Sequence, residues 1–291
     1  MGHCQAALLA DRAVLRVTGT DARKFLQGML TNDVGKLSDG GAMHAGLLAP
    51  QGKILFDLFV VAGKEEFLVD AAKDKMAELI KRLGFYRLRS QVEMREELDI
   101  KVAAMWGGAP RLPEGAISYP DPRLAALGWR VLLPAATSVS ELGCTDATEA
   151  DYHAMRIKLG VPEGGRDYSF GDTFPHEALF DQLNGVDFNK GCYVGQELVS
   201  RMEHRGLARK RIVPVEGDTE LPPSGTPVTA GGVPVGTLGS SSGASGLALI
   251  RLDRAEEALA KGGALKAGEV SITLRRPEFA RFSVPVTALS A

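Results

Sequence analysis

Apolar positions recur along the first half of the chain with two different periods. Residues 13–18, Ala-Val-Leu-Arg-Val-Thr, alternate in the manner of a half-buried strand. From Asp21 the spacing lengthens, placing Ala22, Phe25, Leu26 and Met29 on one side of a helix that ends at Thr31-Asn32-Asp33. Two-residue alternation returns over Met43 to Leu48 and Ile54 to Val61, with Pro50-Gln51-Gly52 as the turn between them, and again over Glu66 to Asp70. Ala71 to Leu83 reads as an amphipathic helix with Met76, Leu79, Ile80 and Leu83 as its stripe and Gly84 as its cap. Strands are expected over Arg87 to Glu93, Leu98 to Met105 and Trp129 to Leu133, with a Pro- and Gly-rich surface loop across residues 107–123. Residues 145–159 predict a helix opened by Thr145 or Asp146, carrying Tyr152, Met155 and Leu159 on one face. A glycine-containing loop follows over residues 160–175.

The pattern changes near residue 208. Ile212 to Val215, Val228 to Leu238, Leu247 to Arg251 and Val270 to Leu274 are short β-rich runs separated by Gly, Pro and Ser. Gly231-Gly232 marks a hairpin turn, and Ser240 to Gly246 reads as a flexible hairpin tip. Such spacing predicts a small antiparallel barrel. The fold expected is α+β: a first domain over residues 1–207, with a ferredoxin-like part at about 46–145, followed by a β-barrel domain over 208–291.

Chemistry concentrates between these parts, in Lys190-Gly191-Cys192-Tyr193-Val194-Gly195-Gln196-Glu197. Glycines bracket the cysteine, and a helix is expected from Gln196, with Leu198, Val199 and Met202 on one face. A helix N-terminus and the Lys190 charge would favour a thiolate at Cys192; the alternative is a small cysteine buried in a turn. The chain holds three cysteines, at 4, 144 and 192. Odd in number and far apart, they suggest neither a disulfide framework nor a zinc site, and Cys4 should react as a free thiol. A cluster of iron and sulfide takes four thiolates, so this chain would hold one only by sharing it with another subunit or a partner.

The octet resembles the signature of YgfZ-type folate-binding proteins, relatives of the glycine-cleavage T-protein that support iron–sulfur enzymes. The resemblance extends to Gly19-Thr20-Asp21-Ala22, Phe25-Leu26-Gln27-Gly28 and Leu30-Thr31-Asn32-Asp33-Val34. It continues through Gly46 to Asp57, Arg156-Ile157-x-x-Gly160-Val161-Pro162 and Pro175-His176-Glu177. It implies a T-protein-like module that binds tetrahydrofolate or another reduced folate, with iron–sulfur client enzymes or assembly proteins as partners and an indirect link to cluster-dependent tRNA modification. It also implies roles. Glu177 would grip the pterin with paired hydrogen bonds, or serve as a helix-start carboxylate. Tyr152 would be an aromatic platform, or core. Asn32 would lie near the ligand cavity, or serve a turn. Lys190, Tyr193 and Arg205 would complete the cofactor-binding set, and Cys192 would carry the chemistry.

Bulk properties narrow the partners. With a net charge of −2, nothing draws the whole chain toward nucleic acid. The basic run Arg201, His204, Arg205, Arg209, Lys210 and Arg211 reads as a solvated face, a seat for the folate tail, or a minor RNA contact. No apolar run reaches the ~20 residues of a membrane span, so no membrane partner is expected. Met1-Gly2-His3-Cys4 lacks signal-peptide character, which predicts a cytoplasmic protein. The alternative function is a folate-dependent aminomethyltransferase. In T-proteins an aspartate lies within the helix after an Asn-Ala lead; here Met76 or Ala77 falls at that point.

Overall fold

The computed structural model describes residues 4–206 and 208–285; the sequence reading at Met1-Gly2-His3 lies outside them. In order, the chain runs β1 (Gln5–Leu8), β2 (Arg12–Thr18), α1 (Ala22–Met29), β3 (Ala42–Leu48), β4 (Ile54–Ala62), β5 (Glu66–Ala72) and α2 (Met76–Tyr86). It continues through β6 (Glu93–Glu97), β7 (Ile100–Trp106), β8 (Ile117–Pro120), β9 (Trp129–Pro134), β10 (Thr145–Asp146), α3 (Glu149–Leu159) and α4 (Gln196–Arg205). The last elements are β11 (Lys210–Gly217), β12 (Pro227–Ala230), β13 (Val233–Ser242), β14 (Ser245–Arg251), α5 (Leu252–Ala260), β15 (Leu265–Ala267) and β16 (Val270–Leu274).

Two compact units result: Met1–Tyr152 with Leu183–Gln196, and His153–Gln182 with Glu197–Ala291. The first holds two five-stranded sheets, ordered β3-β4-β5-β2-β6 and β10-β1-β7-β9-β8. In the first sheet the two-residue alternation sorts the side chains. Leu15 and Val17 of β2, Phe56, Leu58 and Val60 of β4, and Phe67 and Val69 of β5 pack with Phe25, Leu26 and Met29 of α1 and Met76, Leu79 and Leu83 of α2. Arg12, His44, Asp57, Phe59 and Asp70, the intervening residues, occupy the opposite face, and all five are buried. The second unit holds the closed barrel β11-β14-β13-β12-β15-β16, filled by Val213, Val215, Leu238, Ile250, Ala267 and Leu274 among others. The α+β class with a C-terminal antiparallel barrel is thus the observed fold.

Several local expectations are corrected. Ala71 and Ala72 finish β5, where Ala72 pairs with Arg12, so α2 starts only at Met76. Gly84 lies inside α2, which runs on to Tyr86. Residues 87–92 form a turn before β6 rather than a strand, and β8 crosses the expected 107–123 loop. Thr145 and Asp146 form β10, and α3 is opened by Thr148 and Asp151, whose side chains take each other's backbone N–H groups. Cys4 and Cys144 are disulfide-bonded, with Cα atoms 4.8 Å apart, which overturns the free-thiol reading of Cys4. Their distance in sequence carried no information, because β1 pairs with β10 in parallel at Gln5 and Thr145 and sets the two cysteines at one level.

A candidate site built on a clamped thiol loop

The octet is held to the first unit at both ends, with Cys192 between the anchors. At one end the Lys190 ammonium donates to the carbonyls of Gln27 at 2.7 Å, Leu30 at 2.6 Å and Asn32 at 2.9 Å. These carbonyls lie at and beyond the last turn of α1, where a helix leaves acceptors unpaired and its dipole favours a cation. Burial brings the Lys190 pKa down to about 8, opposed by Asp33 and Asp187. At the other end Gly195 has φ +84°, and its α-carbon lies so close to the β3–β4 turn that a Cβ would stand 2.5 Å from the Ala49 carbonyl oxygen. Val194 donates its N–H to the Gly28 carbonyl and packs on the helix-covered core.

Between these anchors Cys192 is exposed and free. The reading of a cysteine buried in a turn is therefore set aside. The expected lysine is present, but its charge is engaged by three carbonyls and lies 5.0 Å from the centre of the Tyr193 ring. Tyr193 is half-buried, which pushes its hydroxyl up to about 12, and its N–H donates to the Gln196 side chain.

The strap leading to the loop is stapled residue by residue. The Thr31 hydroxyl donates to the Gly185 carbonyl at 2.5 Å, and Asp187 donates its N–H to the Thr31 carbonyl. Asn32 spends its amide on the carbonyls of His44 and Asn184, at 2.8 and 2.7 Å. Lys36 pairs with Asp187. Asn32, Lys190 and Tyr193 are thus gathered around Cys192's loop.

Tyr152 sits elsewhere in this unit, 1% exposed, its hydroxyl accepting from Arg123 at 2.9 Å and Arg130 at 3.4 Å. It belongs to a buried ion network. Asp70 accepts from Arg12 at 2.7 Å and from Arg130 at 3.0 Å, and Arg123 forks onto both oxygens of Asp121 at 3.0 and 2.8 Å. The three guanidinium groups lie 4.0–5.5 Å from the Phe59 ring centre. Burial would raise the Asp57 carboxyl, but His44 at 2.8 Å, with Arg123 and Arg12, holds it well below the usual carboxylate range.

Glu177 and Arg205 belong to the second unit. Glu177 lies within the turn over residues 175–184, not at a helix start, and one of its carboxylate oxygens accepts the Phe174 N–H at 2.9 Å. Arg205 is exposed in the last turn of α4. The sequence reading missed Gly195's contact with the Leu48–Gly52 turn and Lys190's capping role. Both partners lie in blocks that carried the resemblance, but the contacts are made to backbone carbonyls, which no residue type marks.

These features define a T-protein-like fold that presents one exposed thiol from a clamped loop. The aminomethyltransferase T of the glycine cleavage system from Bartonella henselae shares the fold, with a TM-score of 0.74 at 15% identity, covering 96% of this chain and 87% of that one. Residues 209–282 match the family described as CAF17, C-terminal beta-barrel domain. The human iron–sulfur cluster assembly factor IBA57, mitochondrial, is 36% identical over 274 residues, which cover 83% of this chain and 76% of that protein. The Neurospora crassa homolog is 37% identical over 228 residues, 71% of this chain but only 52% of the fungal protein. The chain belongs to the IBA57 family. That narrows the YgfZ-type resemblance to a related family, distinct from YgfZ itself. The relatives are named as mitochondrial, which overturns the expectation of a cytoplasmic protein.

Proposed function

We propose that the chain is an iron–sulfur cluster assembly factor that contributes the Cys192 thiolate to a cluster shared with a partner protein. The observation that carries this reading is the free, exposed Cys192 on a loop anchored at Lys190 and Gly195. A rigid loop presents one ligand without the entropy cost of ordering it on contact. One thiolate falls short of the four a cluster takes, so the others come from the assembly or client protein. A reduced folate is the second ligand in this reading. Its support is the family resemblance together with Glu177, which keeps one carboxylate oxygen beyond its bond to Phe174. Cluster-dependent tRNA modification would then be served through client enzymes.

The aminomethyltransferase reading finds less support. Met76 is buried and Ala77 carries no acid; Asp74 and Glu78 are exposed, and Glu78 pairs with Lys75. The test is reconstitution of a cluster between this chain and an iron–sulfur carrier protein, followed by absorption and Mössbauer spectroscopy. The shared cluster should form with the native chain and fail with Cys192→Ser while that variant's melting temperature holds. A cluster of unchanged spectrum and yield in the serine variant would reject the reading. Calorimetry with tetrahydrofolate tests the second ligand separately. Binding in the micromolar range, about −8 kcal/mol, is expected, and silence at ~1 mM ligand would remove folate from the proposal.

A further inference from the structure

The end of α2 and the turn after it expose a run of residues that the thiol site does not use. Gly84, Phe85, Tyr86, Arg87, Leu88 and Arg89 are exposed in succession. Leu88 is 92% exposed and Phe85 61%, values that leave these large apolar groups projecting rather than lining a groove. Lys81, Arg82, Arg87 and Arg89 accompany them, and no Asp or Glu occurs between Leu79 and Val92. The neighbouring acids are mostly engaged: Glu78 with Lys75, Glu97 with Arg16 and Arg95, and Asp21 with the Gln91 N–H. Glu93, at the start of β6, is a further exposed acid, at the other edge of the run from Glu78. A polar cleft of about 940 Å³ opens beside it, lined by Thr18, Thr20, Arg87, Ser90, Gln91 and Glu93 among others.

We infer that this tip is a contact site for the surface of an anionic phospholipid bilayer. Projecting apolar side chains enter the boundary between headgroups and acyl chains, and the cations around them meet the negative surface. The charge is complementary to that surface, although the whole chain carries −2, because the acids lie outside the run. Single-stranded nucleic acid fits less well: stacking would use Phe85 and Tyr86 but leave Leu88, the most exposed of the three, without a role. A protein partner would have to supply a pocket for a convex tip. Among the described residues no helix is long and apolar enough to cross a membrane, and a peripheral contact needs none. The tip also lies away from the thiol loop. Gln91 bonds Asp21 just before α1, whereas Lys190 caps the other end of that helix.

Flotation of the full chain with phosphatidylcholine vesicles, with and without about a quarter phosphatidylserine, tests the inference. Binding should appear only with the anionic lipid and weaken with salt. Arg87→Gln with Arg89→Gln should lower it roughly 25-fold, at about five-fold per cation. Phe85→Ser with Leu88→Ser should bring it near background, with melting temperature unchanged because both side chains are exposed. Cys192→Ser should bind like the native chain, so this result stands apart from the cluster experiment. Equal binding to neutral vesicles, or anionic binding untouched by both double variants, would overturn the inference. So would the capture of a single-stranded oligonucleotide through these residues by a chain that ignores vesicles.

Discussion

Alanine at Gly195 tests whether the clamped loop presents the thiol. The native residue has φ +84°, a left-handed conformation that costs a residue with a Cβ about 1–2 kcal/mol. The added carbon would stand 2.5 Å from the Ala49 oxygen, 3.0 Å from the Leu48 Cβ and 3.2 Å from the Gly52 Cα. None of these atoms is the far end of a flexible side chain, so loop or turn must shift, at a further cost of roughly 1–3 kcal/mol. The total, about 2–5 kcal/mol, is an upper limit on lost global stability, because the loop can instead lift from the β3–β4 turn. Three measurements separate these routes: urea unfolding, limited proteolysis across residues 187–196, and cluster reconstitution with the carrier. Gly195→Ala should lose stability, or else keep its midpoint while the loop becomes cleavable; either way, cluster yield should fall. Gly191→Ala is the control, since its Cβ would meet nothing within 4 Å and its φ is not positive. A Gly195→Ala chain that matches the native protein in all three would refute the clamp.

Three further outcomes are expected. Iodoacetamide should label one thiol per folded chain without reductant, at Cys192, and three after reduction and unfolding, as mass spectrometry would show; labelling of Cys4 in the unreduced native chain would contradict the disulfide. Lys190 titrates near 8 when folded against an ordinary 10.5, so between those values the unfolded chain binds a proton that the folded chain does not. Stability measured by urea unfolding should therefore rise with pH across that window relative to Lys190→Met, and parallel pH profiles would refute the assignment. Asp70→Asn leaves the buried guanidinium groups of Arg12 and Arg130 without their shared carboxylate and should cost on the order of 3–5 kcal/mol in the same assay, whereas a loss under 1 kcal/mol would mean that the network carries little.

The sequence was most legible where period and burial agree. Ala22, Phe25, Leu26 and Met29 mark α1 because their four positions can share a face only at helical spacing, and all four are buried. Legibility failed at the end of β5: in Val69-Asp70-Ala71-Ala72 alanine suits either strand or helix, so only the pairing with Ala13 and Arg12 fixes the strand's end. Helix α5 went unread because Ala255 is its one fully buried residue and its other faces are charged. At the candidate site the octet marked Cys192, but not how it is held. The acceptors of Lys190 lie 158–163 residues away, and a carbonyl has no sequence identity that could reveal it.

The same limit explains the ion network, and the network in turn bears on the strap. Arg12, Asp57, Phe59 and Asp70 alternate with core residues on their strands, so a sequence reading assigns them to an outer face. They are buried because Asp121, Arg123 and Arg130 come from the other sheet's strand β9 and the turn before it, with Arg130 60 positions beyond Asp70. Replacing such a cluster by packed hydrophobic residues is often neutral for stability, so burial energy alone does not account for it. Directional bonds do more here. His44, anchored by Asp57, meets the Leu183 carbonyl at 3.1 Å, and Asn184 donates to the Pro122 carbonyl at 3.0 Å, beside Arg123. Those two contacts fix the start of the strap, whose Asn184 and Gly185 carbonyls accept from Asn32 and Thr31 and whose end carries Cys192. An apolar core of equal volume would hold the sheets but offer no hydrogen bond to Leu183. The network's polarity therefore sets the register of the strap, and through it the position of the thiol.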